Sequence, residues 1–187
     1  MDALVDLTNA VILLLNFVIV PSLAYGSQLA LGALGITLIY GILRFANFAH
    51  GDTMAFGTMI TILMTWWLQS KGISFGFLPT ALLALPVGIF ATIIMLIFTD
   101  KVVYKHYRRR KDPSVTLMIA SIGVMFMMNG IIRFVIGPNE QRFADGERFI
   151  LKARAFKEWS GLNEGLTIKT SQALTVVIAI MFVVGVF

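Results

Sequence analysis

The sequence predicts an all-α, polytopic membrane protein with about five transmembrane helices and a short N-terminal interfacial helix, forming part of a larger bundle. Mean hydropathy is +0.85, and 58% of the 187 residues are hydrophobic against 13% charged, too few charges to cover a soluble domain. The apolar runs are long: no charged residue occurs from Leu7 to Leu43, nor from Thr53 to Ser70. About 20 residues span the hydrocarbon as a helix, and no run alternates apolar and polar residues in the manner of a barrel strand.

The first uncharged run exceeds what one span needs. Pro21 and Gly26 are expected to divide it into a short piece, Asn9 to Val20, lying at the interface, and a span from about Ser22 to Leu43. On that span Gly26, Ala30, Ala33, Thr37 and Gly41 recur at three- and four-residue spacing. They form one small-residue face that lets helices approach closely, with a path lined for a solute as the lesser alternative. The N-terminus carries Asp2 and Asp6 and has no Lys or Arg before Arg44. It therefore lacks the basic region of a signal peptide, and the first apolar segment is expected to remain in the mature protein.

A second span is expected from about Phe45 to Leu68, ending at the interfacial aromatic pair Trp66-Trp67, with a turn over Gly72 to Phe77. The third runs from Leu78 to Thr99, with Pro79 near its start and Pro86 inside, where a kink is expected. Asp100 to Asp112 reads as a basic loop carrying Lys101, Lys105, Arg108, Arg109, Arg110 and Lys111. Basic loops between spans face the cytoplasm, so the concentration of charge in this one loop reads as topology and not as nucleic-acid binding, with a grip on anionic lipid or RNA by the basic run and its aromatics as the lesser alternative. The fourth span starts behind Pro113 and runs to about Ile136, with Arg133 near its end and Gly137-Pro138 as the stop.

Alternation from the basic loop then places residues 139–167 and the N-terminus outside; that external segment is either a small ordered cap or a docking surface. Residues 1–187 otherwise read as a single membrane domain. The last apolar stretch, Ser171 to Phe187, stops without an interfacial anchor, so the chain is expected to be incomplete at its C-terminus.

Several chemistries are disfavoured. The absence of cysteine removes disulfides and thiolate chemistry. The spans lack paired carboxylates or His clusters for hydrolysis or a metal, and no glycine-rich phosphate loop with its Lys is present. The sequence thus predicts no catalytic residue, cofactor or metal site. What demands explanation is the polar stretch Arg44-Phe-Ala-Asn47-Phe-Ala-His50-Gly51-Asp52 between two apolar segments, since a charge at mid-bilayer costs about 2.5–3.5 kcal/mol.

The wider motif Gly35-Ile-Thr-Leu-Ile-Tyr40-Gly41-Ile-Leu-Arg44-Phe-Ala-Asn47-Phe-Ala-His50-Gly51-Asp52 resembles the signature of branched-chain amino-acid ABC importer permeases. It is most similar to the first of their two permease subunits, a group that includes urea and amide importers. The similarity continues through Asp100-Lys-Val-Val-Tyr104 and Thr116-Leu-Met-Ile-Ala-Ser-Ile-Gly123 to Asn129, covers most of Gly26 to Asn129, and is weak after Pro138.

The resemblance implies a multi-pass protein of the bacterial inner membrane that imports a small polar or zwitterionic solute. Its implied partners are a second permease subunit, cytoplasmic ABC ATPase subunits and a periplasmic solute-binding protein, with ATP hydrolysed on the partner. Family members extend beyond the point where this sequence ends, so these residues are not expected to transport alone.

Two roles are open for Asn47, His50, Gly51 and Asp52. In the preferred one they cap or cross-link a broken helix near the inner face, Asp52 accepting from free N–H groups and Gly51 permitting a tight bend. In the other they belong to the solute path or its gate. A competing function of a different class, a proton-coupled transporter or channel, would use His50 and Asp52 as a relay.

Overall fold

The computed structural model describes residues 2–73, 79–139, 141, 149–160, 162 and 164–186. The fold is helical, with one short pair of strands. It divides into two compact units, residues 1–33 with 147–187, and residues 34–146.

The first unit begins with α1 (Asp2–Leu14), which passes through a π-helical turn (Leu15–Ile19) directly into α2 (Val20–Leu43). Pro21 therefore does not divide the run, and no separate interfacial helix forms. The wider π turn lies immediately before Pro21, with the Val20 N–H bonded five residues back to the Leu15 carbonyl. This loosens the helix where the proline ring would otherwise press on the preceding turn.

The N-terminal half of this helix also has polar partners. Asn16 donates from Nδ2 to the Gly165 carbonyl at 2.7 Å and accepts from the Thr167 N–H at 2.8 Å. Asn9, two turns away on the same face, accepts from the Glu164 N–H at 3.2 Å. The two amides thus satisfy backbone groups of a segment that would otherwise lack partners.

The described part of the expected external segment is ordered. Strand β1 (Phe149–Leu151) pairs antiparallel with β2 (Ile168–Lys169), and α7 (Ala153–Ser160) lies between them in sequence. Gly165 packs so closely on the Ala153 carbonyl that a β-carbon would have no room. From β2 the chain enters α8 (Thr170–Val186) without a loop. Residues 140, 142–148, 161 and 163 of the expected external segment lie outside the described residues.

In the second unit α3 (His50–Ser70) starts five residues later than expected. The delay has a backbone cause: Arg44 adopts a left-handed conformation, φ 55°, and ends α2. Next comes α4 (Ala81–Thr99), which contains Pro86; Leu78, the expected start of this span, lies outside the described residues.

A second π turn (Asp100–Tyr104) carries the chain into α5 (Lys105–Arg110). The expected basic loop is therefore helical as far as Arg110. No Gly or Pro interrupts it, and Arg108 donates twice to the Asp100 carboxylate, each bond 2.7 Å, across the π turn. The helix stops at Lys111, which is left-handed with φ 57°. After Pro113 comes α6 (Ser114–Ile136), closed by Gly137 at φ 90° as the sequence suggests.

The α3–α4 crossing is reciprocal. Gly57 leaves space that the Thr92 side chain fills, and Gly88 leaves space for Thr61. Each threonine hydroxyl also bonds to the carbonyl of the glycine four residues before it, Thr61 to Gly57 at 2.9 Å and Thr92 to Gly88 at 2.7 Å. Close approach of backbones and internal satisfaction of hydroxyls are what an apolar solvent favours.

Among the described residues three helices are long and apolar enough to cross a membrane: Val5–Leu43, Ala81–Arg110 and Ser114–Ile136; Thr170–Val186 is a shorter apolar helix. The protein is an all-α, membrane-embedded, polytopic one.

Candidate functional site

The polar stretch between α2 and α3 forms a short non-helical joint in the second unit. Apolar residues seat it: Phe45 is only 2% exposed and packs on the Tyr104 ring at 5.6 Å, and Ala49 belongs to the same core with Leu117, Val124 and Met128. Positions 117, 121, 124 and 128 follow the helical period, so one face of α6 closes on the joint.

Asn47 organises the turn. Its Oδ1 accepts from the Ala49 N–H at 3.1 Å and from the Tyr104 hydroxyl at 3.2 Å, while its carbonyl accepts from the His50 N–H at 3.3 Å. An Asn side chain that accepts from the N–H two residues ahead offers the backbone an alternative to helix. The Phe48 N–H donates to Ser121 Oγ at 3.1 Å, and that hydroxyl donates to the Met118 carbonyl at 2.7 Å. Ser121 is fully buried, so its hydroxyl serves the joint and its own helix without water.

Asp52 lies in the first turn of α3, where a carboxylate complements the helix dipole. It does not cap the helix start, which has no side-chain cap. Asp52 Oδ1 instead accepts from Asn129 Nδ2 of α6 at 3.1 Å. Gly51 is helical with open space beside it, and the bend expected there occurs at Arg44.

His50 faces the other way. Its ring lies against α2 at Gly35, where an added β-carbon would be 2.7 Å from Nε2. That nitrogen is buried without a hydrogen-bond partner. Asn47 and His50 border a recess of about 240 Å³ whose other walls include Ile36, Thr37, Tyr40 and Ala46. The structure thus brings Asn47 and His50 to one recess and turns Asp52 toward α6. Asp52 bonds to Asn129 while His50 Nε2 has no partner, so the two do not form a hydrogen-bonded relay through that nitrogen.

Gly26, Ala30, Ala33, Thr37 and Gly41 are not gathered into this joint's core. All but Thr37, whose hydroxyl bonds to the Leu34 carbonyl at 2.8 Å, lack a hydrogen-bonding side chain, and the small face is exposed along α2. Gly26 and Ala30 border an apolar groove of about 610 Å³ whose opposite wall is Ala179, Ile180, Val183 and Val184 of α8. Among the described residues no group of three metal-ligating side chains occurs.

Sequence reasoning missed Ser121 as a partner and did not connect Tyr104 or Asn129 to the joint. The usable signal was a polar residue within the helical period of an apolar span, since Ser121 lies on the face that also buries Leu117, Val124 and Met128.

A family described as the permease component of branched-chain amino acid transport systems matches residues 18–187. The high-affinity branched-chain amino acid transport system permease protein LivH of Escherichia coli (strain K12) is 27% identical over 119 residues, 62% of this chain and 36% of the relative. LivH of Salmonella typhimurium gives the same 27% identity over 119 residues, 62% of this chain and 36% of the relative. The permease protein BraD of Pseudomonas aeruginosa is 30% identical over 118 residues, 61% of this chain and 36% of the relative. The chain thus spans little more than a third of the length of the curated relatives it matches. No solved structure matches it.

Proposed function

Because the chain belongs to the permease family of branched-chain amino acid transport systems, we propose that it is part of a transmembrane subunit of an ATP-binding-cassette importer for branched-chain amino acids or a related small polar solute. The observation that carries the reading is the helix joint of Arg44 to Ala49 with the first turn of α3: Asn47 is tied to Tyr104 between α4 and α5, and Phe48 and Asp52 are tied to Ser121 and Asn129 of α6. A joint cross-linked in this way lets an importer helix break near a membrane surface while the Phe48, Ala49 and His50 N–H groups keep partners.

The partners in this reading are a second permease subunit, cytoplasmic ATPase subunits and a periplasmic solute-binding protein. The subunit performs no bond chemistry; ATP hydrolysis on the partner biases two packings of the bundle. It lies in the bacterial inner membrane, with the basic end of α5 cytoplasmic and the N-terminus and residues 139–167 outside, and α3 and α8 cross in addition to the three long apolar helices. Asn47 and Asp52 hold the joint, His50 borders the solute path or gate, and the small face of α2 receives a helix from the rest of the bundle.

Substrate class is tested by expressing the full permease with its partner genes in cells lacking their own branched-chain importers and measuring labelled leucine uptake. Competition by isoleucine and valine, and dependence on the binding protein, are expected. Uptake displaced by urea or amides and not by isoleucine or valine moves the substrate to that related class; uptake without the binding protein or the ATPase contradicts the importer reading.

A further inference from the structure

Helix α7 has two unlike sides. Phe156 and Trp159, three residues apart and so on one face, form an edge-on aromatic pair with ring centroids 6.2 Å apart. Trp159 is nonetheless 84% exposed, a large apolar ring without cover. The opposite side carries Arg154, Lys157 and Glu158, with Arg154 Nε donating to Glu158 at 3.2 Å, and Lys152 precedes the helix. Aromatic residues facing basic ones across a short amphipathic helix are the signature of a helix lying in a membrane interface.

The strand pair ties it to α8. Leu151 is opposite Ile168, and two residues beyond Ile168 the apolar helix α8 begins. Ala153, the first residue of α7, packs on Gly165. The five residues from Gly165 to Thr170 reach at most about 16 Å at 3.3 Å per extended residue, so α7 is held on a short tether to the head of α8. Along α8 itself Ile180, Met181 and Phe182 are exposed.

We propose that α7 lies in the headgroup layer, with Trp159 seated at the boundary of the acyl chains and Lys152, Arg154 and Lys157 meeting anionic phospholipid headgroups. The segment is then a membrane-surface anchor that fixes the β1–β2 pair, and with it the head of α8, at a set depth. Interfacial Trp supplies the apolar contact, and three cations against one carboxylate supply the charge complementarity.

The protein contains three tryptophans, so replacing Trp66 and Trp67 by Phe leaves Trp159 as the sole fluorophore. This variant is reconstituted in phosphatidylglycerol–phosphatidylcholine vesicles with acyl chains brominated near the headgroup or near the methyl end. The expected result is blue-shifted emission, loss of more than half the intensity with shallow bromination, less with deep bromination, and protection from aqueous acrylamide. The difference between wild-type and Trp159→Phe spectra gives the same reading without altering α3. Water-like emission quenched by acrylamide and untouched by brominated lipid overturns the proposal. The same emission changing only on addition of a solute-binding protein also overturns it and assigns the face to protein docking.

Discussion

Asn47 carries the helix joint through a single oxygen that serves both the turn and Tyr104. Removing it in Asn47→Ala deletes a cap-like bond and leaves the Tyr104 hydroxyl unpaired at that atom, which should cost about 1–2 kcal/mol. Tyr104→Phe alone should cost less, about 0.5–1.5 kcal/mol, and should have little further effect once Asn47 is Ala. Thermal unfolding of the four proteins in detergent checks this; additive losses would mean that the two side chains do not act through one bond. Asp52→Ala leaves the Asn129 amide without its acceptor at a cost of roughly 0.6–2 kcal/mol. It should lower the amount of assembled complex more than it changes solute affinity, and normal assembly with abolished transport would place Asp52 in the solute path instead.

His50 makes a second residue-scale test. Gly35 is opposite its ring with no room for a β-carbon, so Gly35→Ala must displace the imidazole, whereas Gly32→Ala meets open space. Chemical labelling of His50 should rise in the first variant and stay unchanged in the second. The sequence marked this region because charges between apolar runs have to be accounted for. It did not reveal the partners, because Tyr104, Ser121 and Asn129 are 57, 73 and 77 residues from theirs. Long-range pairing leaves no periodic trace in a single sequence.

At the scale of elements the sequence showed where helices are apolar better than where they stop. Pro21 reads as a breaker, yet the π turn before it absorbs the ring, and Asn9 and Asn16 hold the same helix to residues 164–167. The basic run after Thr99 reads as a loop because charge signals the water side, yet Lys and Arg are good helix formers, and the stop comes only at Lys111. The exposed Asp100–Arg108 pair that spans this turn contributes only about 0–1 kcal/mol. It orients the extension more than it stabilises it.

The α3–α4 crossing gives a sharper prediction. Gly57→Ala or Gly88→Ala puts a methyl group where a threonine from the facing helix already lies. Overpacking of this kind costs about 1–3 kcal/mol. Gly123→Ala and Gly130→Ala, where nothing lies within 4 Å, should be neutral or slightly stabilising through helix propensity. Equal tolerance at all four positions in a thermal-stability assay would mean that the two helices do not meet at Gly57 and Gly88.

For the whole molecule, mean hydropathy and uninterrupted apolar runs made the class legible, because a chain so poor in charge cannot be covered by water. The spans are less directly read. The second span expected from the sequence corresponds to α3, which is not one of the three long apolar helices; it buries Thr53, Thr61 and Thr65, and their hydroxyls bond to carbonyls of their own helix, among them Thr65 to Thr61 at 2.7 Å. Internal pairing of this kind takes three hydroxyls off the polar surface that composition alone assigns to the helix.

The central claim is that the bundle is driven by ATP on a partner and not by a proton relay through His50 and Asp52. The most direct measurement is labelled leucine uptake into vesicles containing the complete permease, its ATPases and its binding protein, with ATP supplied on the ATPase side and the proton gradient collapsed by a protonophore. Uptake that needs ATP and survives the protonophore is the predicted result. Uptake that persists without ATP and disappears with the gradient would contradict the account.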